Sequence, residues 1–185
     1  MASKNNMQKI NSQNTQLTNP ADYDTDRMVF TKAVKGSVPK PANDNKPAIK
    51  FSRIYIGTTN DDGTVGELVL PTGRLFSYGV SECTSLETGK VNGYSIALCM
   101  WDRDGPTESQ KQFTDTVNNI AEKVIGHLLK DDVQDEIEKY ELTRDSLKKI
   151  NPLFWKKDKG KIVEGRGPAL YPKLIESKKT ESFIT

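Results

Sequence analysis

Phe113, Val117, Ile120, Val124 and Leu128 recur at spacings of 4, 3, 4 and 4 residues, the period of an α-helix that must hide one face. The spacing predicts an amphipathic helix of about six turns from Thr107 to Lys130. Thr107 is placed to cap its first turn, and Gln110, three residues on, to return the bond. Just upstream, Tyr94 to Trp101 (YSIALCMW) reads as the most buried strand of the chain. A long helix with one apolar stripe is best covered by a sheet, so the class expected is α+β.

The remaining strand signals are short. Ile49 to Ile56 alternates and is rich in β-branched and aromatic residues. Asn60-Asp61-Asp62-Gly63 is a turn signal, with Val65 to Leu70 as the returning strand. Leu75 to Val80 follows, with Phe76 and Tyr78 on one face, and Ala169 to Ile175 reads as a closing strand. Val133, Ile137 and Tyr140 continue a helical stripe, and a short helix is expected over Arg144 to Ile150, before Pro152. One helix set among several short strands predicts an antiparallel β-barrel or curled sheet, decorated by the long helix and smaller ones. Residues 1–48 are expected to form a largely disordered arm and a Pro-rich linker, residues 49–176 the domain, and residues 177–185 a polar tail, a point of truncation.

Charge is uneven along the chain. Residues 1–50 carry 8 basic and 4 acidic side chains, residues 51–100 carry 3 and 5, residues 101–143 carry 5 and 11, and residues 144–185 carry 11 and 5. A basic C-terminal part beside an acidic helical block suits either a phosphate-binding face or two solvated surfaces of opposite sign. No stretch approaches the roughly 20 apolar residues that cross a bilayer, and no apolar run follows the start, so neither a membrane nor a secretory route is expected. Two cysteines, Cys83 and Cys99, fit a reducing compartment.

Catalytic patterns are sparse. His127 is the sole histidine and borders the apolar stripe, so zinc spacing and a histidine-activated nucleophile are both missing. Thr88-Gly89-Lys90 lacks a glycine at position 84 and a hydroxyl at position 91, and is no phosphate loop. Asp102, Asp104 and Glu108 are the one set with a magnesium-ligand character, the basis of a small-nuclease reading; Asp102 to Pro106 is better read as a charged turn preparing the helix. The expectation is a non-enzymatic protein with no cofactor and no metal.

Nucleic-acid binding has a more specific basis. Single-strand binders pair cations with rings that stack on bases. Trp155 precedes Lys156, Lys157, Lys159 and Lys161, and Arg166, Tyr171 and Lys173 follow, so rings and cations interleave within twenty residues. Arg53 and Tyr55, with Phe76 and Tyr78, would add a sheet-face platform. The alternative is that Phe154 and Trp155 anchor a loop and leave the lysines hydrated.

The segments ELVLPTGRLFSYGVSE (67–82), GKVNGYSIALCMW (89–101), DGPTESQKQFTD (104–115) and NPLFWKKDKGKIVEGRGPALYPKL (151–174), with Phe51 to Ile56, cover about two thirds of the chain. In them the sequence resembles the single-stranded-DNA-binding-type proteins of nucleocytoplasmic large DNA viruses, which include African swine fever virus and giant-virus members. That resemblance implies an oligonucleotide-binding (OB-like) barrel and non-sequence-specific single-stranded DNA binding in viral DNA replication, repair or packaging. It implies residence in the host's cytoplasmic viral factory, nucleus or virion. Lys156 to Lys161 is its best carry-over, and relatives are expected to continue past Ile184 with further strand-like sequence. The partners expected are single-stranded DNA or another nucleic acid, viral replication or virion proteins, and a second copy of the chain. The runner-up reading is a scaffold protein of a viral particle or replication assembly, its acidic helical block suited to basic partners.

Overall fold

The computed structural model describes residues 10–38, 48–139, 141–176 and 182–184. Residues 39–47 of the linker expected at 35–47, Tyr140 and most of the polar tail lie outside the described residues. The chain divides into two compact units, residues 1–71 with 122–148, and residues 72–121 with 149–185.

In the first unit, β1 (Met28–Phe30), β4 (Ile56–Thr59) and β5 (Val65–Glu67) form an antiparallel sheet in the order β1-β4-β5. The hairpin between β4 and β5 forms where Asp62-Gly63 signals it. Gly63 adopts a positive φ of 78°, and the Asn60 N–H donates to the Thr64 carbonyl at 2.8 Å. Residues 11–18 run beside β5. The Asn11 and Thr18 amides donate to the Val65 and Val69 carbonyls, and the Glu67 amide donates to Thr15 Oγ1. A Cβ on Gly66 would meet the Asn14 carbonyl oxygen at 2.6 Å, so only glycine admits this strap. A separate ladder pairs β2 (Val34–Val38) with β3 (Ile49–Arg53). The alternation read as one strand over Ile49 to Ile56 is therefore two strands, β3 and β4, in different sheets. α2 (Asp131–Ile137) ends on Glu138, whose φ of 57° is left-handed. Met28, Val65, Ile125, Val133 and Leu147 are buried here.

His127 stacks on Phe30 with centroids 3.9 Å apart. Burial, then the Lys130 charge, push its pKa below the ordinary 6.5, against an upward pull from Asp132 and Glu136. The folded state thus holds the ring neutral where the unfolded chain would protonate it. Stability contributed at this site is complete above pH 6.5 and is lost as pH falls from there toward the lowered folded value. Urea unfolding at pH 7.5 and pH 5.5 should show this loss in the parent and a smaller one in His127→Phe.

In the second unit, β7 (Val91–Cys99) is the central strand. One of its edges pairs with β6 (Phe76–Thr84), the other with β10 (Ala169–Leu170) and β11 (Lys173–Glu176), and β12 (Ser182–Ile184) pairs with β11. β8 (Lys157–Asp158) and β9 (Lys161–Ile162) make a separate two-stranded hairpin. The predicted helix is α1 (Glu108–Leu128), and its residues up to Ala121 belong to this unit. The capping box forms: the Gln110 amide donates to Thr107 Oγ1, and the Thr107 amide donates to Gln110 Oε1. Met100, Phe113, Ala121 and Leu153 are buried.

The expected OB-like barrel is not formed. Among the described residues the strands make four separate antiparallel sheets, and none closes on itself or curls strongly. Closure needs a ladder that continues from each strand to the next with a consistent stagger. Here β8, β9 and β10 are two residues long and most other strands three to five. The architecture is α+β with open sheets and one long helix, and the single-strand groove of an oligonucleotide-binding barrel falls with the barrel.

Candidate nucleic-acid interface

The register of the five-stranded sheet decides which side chains share a face. Residues directly opposite in a ladder project to the same side. Phe76 and Ala169 both pair with Cys99, and Phe154 pairs with Ala169 through two backbone bonds of 2.8 and 2.9 Å. Phe154, Ala169, Cys99 and Phe76 therefore form one row across the sheet. With strands spaced about 4.8 Å apart, the two phenylalanine positions stand roughly 14 Å from each other.

A second row lies beside it. The β10 and β11 registers against β7 are continuous, and the Ile96 amide donates to the Pro172 carbonyl between them. Tyr171 thus lies opposite Ala97. On the other edge, a bulge between Ser77 and Val80 sets Tyr78 and Gly79 against Ala97. Gly79 takes a φ of +95° there, a conformation that L side chains rarely adopt. Lys173 and Ser81, both paired with Ser95, form a third row.

The result is a floor of small residues, Ser95, Ala97 and Cys99, flanked by two pairs of rings. Phe76 meets Tyr78 edge-on at 5.1 Å, and Phe154 meets Tyr171 edge-on at 5.5 Å. These are favourable arrangements for aromatic pairs. All four rings are solvent-accessible: Phe76 is 60% exposed, Tyr78 80%, Phe154 62% and Tyr171 51%. Burying them would be favourable, and nothing in the described residues does so.

The other sequence candidates are placed differently. Trp155 is half-buried and packs edge-on against Trp101 at 5.3 Å. The Trp101 indole N–H donates to Thr114 Oγ1 on α1. Lys156, Lys157, Lys159, Lys161 and Arg166 are all exposed. The turn of the β8–β9 hairpin is Lys159-Gly160, both with positive φ, the geometry of a tight two-residue hairpin turn. Lys157 pairs with Ile162 and Lys161 with Asp158, so Lys157 and Lys161 take opposite faces of the ribbon. Arg53 and Tyr55 belong to the first unit, in and just after β3. The Arg53 guanidinium lies 5.3 Å from the Phe51 ring centre and 6.0 Å from that of Tyr55, a cation–π cluster of its own. It shares no sheet with Phe76 and Tyr78.

Among the described residues no three His, Cys, Asp or Glu side chains converge to hold a metal ion, so Asp102, Asp104 and Glu108 form no such cluster. No helix of the described residues is long and apolar enough to cross a membrane. The reading of residues alone missed the pairing of Phe76/Tyr78 with Phe154/Tyr171 and the small floor between them. The signal available was alternation at 76/78 and at 169/171, without the register that joins them.

Comparison with known proteins finds similarity to viral proteins. It is 29% identical over 164 residues to the early 31 kDa protein of Frog virus 3 (isolate Goorha), covering 86% of this chain and 57% of that protein. It is 29% identical over 118 residues to the uncharacterized protein 007R of Invertebrate iridescent virus 3, covering 64% of this chain and 24% of that one. The chain thus spans little more than half of one of these relatives and about a quarter of the other. No solved structure matches it. A family profile described as "Protein of unknown function (DUF2738)" matches residues 21–185, nearly the whole chain, and the chain belongs to that family.

Proposed function

We propose that the chain binds single-stranded nucleic acid without reading its sequence, on the open sheet face of the second unit, and that it does so in a viral setting. The observation that carries this reading is the pair of exposed ring clusters on either side of a small-residue floor. Bases have π-faces on both sides, and an edge-to-face pair covers only one of its four ring faces, leaving the others for stacking. Lys173 stands at one end of the same face. Residues 149–174 hold seven basic and two acidic side chains, net +5, which raises the local phosphate concentration. The family resemblance in residues 67–82, 89–101 and 151–174 supports the same reading, since these segments supply all four rings. A role in viral DNA replication, repair or packaging follows from that resemblance.

A second reading has one specific observation behind it. β6 is nine residues long and, among the described residues, pairs only with β7. Its other edge presents unpaired backbone groups, and Phe76, Tyr78 and Val80 along it are exposed. Such an edge accepts a strand from a partner protein, as a scaffold would.

A salt titration of binding to single- and double-stranded oligonucleotides of equal length separates the two. The expected result is tighter binding to the single strand, with log affinity falling linearly as log salt rises. Affinity no greater than that of an unrelated protein of equal net charge would remove the nucleic-acid reading and leave the strand-acceptor one.

A further inference from the structure

The first unit holds a cavity of about 510 Å³ that the sheet-face reading does not use. That volume falls within the roughly 300–1,000 Å³ of small-molecule sites. Its wall is mostly apolar: Phe30, Ile54, Ile56, Val124, Leu128 and Ile137 line it, with the Phe51 ring from β3. Gly36, opposite Phe51 in the β2–β3 ladder, shapes this wall. A Cβ there would stand 2.5 Å from Phe51 Cζ, so the ring lies directly over the glycine backbone.

Charge around the cavity is one-sided. Among the described residues Lys35, Lys50 and Lys139 line it against one acid, Glu138, a net charge of +2. Glu138 is engaged by Lys35 in an ion pair. Among the described residues neither Lys50 nor Lys139 has a carboxylate within ion-pair distance. Among the described residues the uncharged polar side chains on the wall are Ser52 and His127.

We propose that this cavity binds a single-chain amphiphile with an anionic head, its chain against the aliphatic and aromatic wall and its head group at Lys50 and Lys139. An apolar body lets the wall exclude water without leaving polar groups unsatisfied. A carboxylate head supplies an ion-pair partner for the two lysines, which among the described residues have none within ion-pair distance.

The test is calorimetric titration of the full chain with dodecanoate below its micellar concentration, alongside dodecylammonium and adenosine monophosphate as separate arms. Dodecanoate is expected to bind in a one-to-one ratio, and dodecylammonium about tenfold or more weaker, because the cavity charge repels it. Ile137→Trp, which fills the cavity, should abolish binding. Lys50→Glu with Lys139→Glu should weaken it about tenfold or more, leaving the circular dichroism spectrum unchanged. Both lysines are exposed, so the second variant remains informative if the first does not fold. No dodecanoate uptake, equal uptake of the cationic analogue, or preference for adenosine monophosphate would each overturn the proposal.

Discussion

Replacing Phe154 and Tyr171 with alanine is expected to lower affinity for an unstructured single-stranded oligonucleotide by roughly 5- to 150-fold per ring that stacks, the equivalent of about 1–3 kcal/mol each. Phe76→Ala with Tyr78→Ala should act in the same range from the other side of the floor. The size of the effect follows from where the rings sit. They are more than half exposed, so they contribute little to the interior and much of their surface is free for a ligand. Ring removal takes away stacking and leaves the phosphate contacts, so the dependence on salt should keep its slope. Lys173→Ala should do the reverse, reducing the slope by about one unit with a uniform weakening across sequences. Fluorescence anisotropy with a labelled oligonucleotide at several salt concentrations measures both quantities. A quadruple ring variant that is folded and binds like the parent would show that the face is not the site.

Met100→Ala is expected to destabilise the second unit by about 2–5 kcal/mol, the usual range for emptying a buried site of this size. Met100 is 1% exposed, and its amide donates to the Pro168 carbonyl at 3.0 Å. Pro168 is itself fully buried, and a Cβ on neighbouring Gly167 would meet Trp101 Cβ and Cγ at 2.4 Å. Met100→Leu, which keeps the volume, should cost less than about 1.5 kcal/mol. The measurement is convenient because the chain's two tryptophans, Trp101 and Trp155, both belong to this unit. Their emission during urea unfolding follows it separately from the rest.

What could be read in the residues was local. The stripe from Phe113 to Leu128 and the Thr107–Gln110 box depend on neighbours within one or two turns, and both appear as expected in α1. The Asp62-Gly63 turn is likewise decided within five residues. The barrel failed as an expectation because closure is a matter of which distant strands meet. Ile49 to Ile56 alternates without a break, yet β3 and β4 separate because β3 pairs with β2 while β4 pairs with β1 and β5. The candidate interface divides in the same way. Lys156 to Lys161 looks like one patch in a line of letters, but a hairpin with a Lys159-Gly160 turn distributes it over two faces. Phe76 and Phe154 are 78 positions apart, and only the two registers that meet at Cys99 bring them to one row.

The strap along β5 bears on how this region tolerates change. Residues 11–18 are held largely through main-chain atoms: the Asn11 and Thr18 amides donate to it, and the Asn14 carbonyl accepts from Asn60 Nδ2 at 2.8 Å. Exchanging one side chain for another therefore leaves most of the fastening intact. Inserting or deleting a single residue between Asn11 and Thr18 moves every later donor out of step with its acceptor. Sequences that keep this fold can drift freely in composition over the stretch, while its length is held constant by the Gly66 backbone running beneath it.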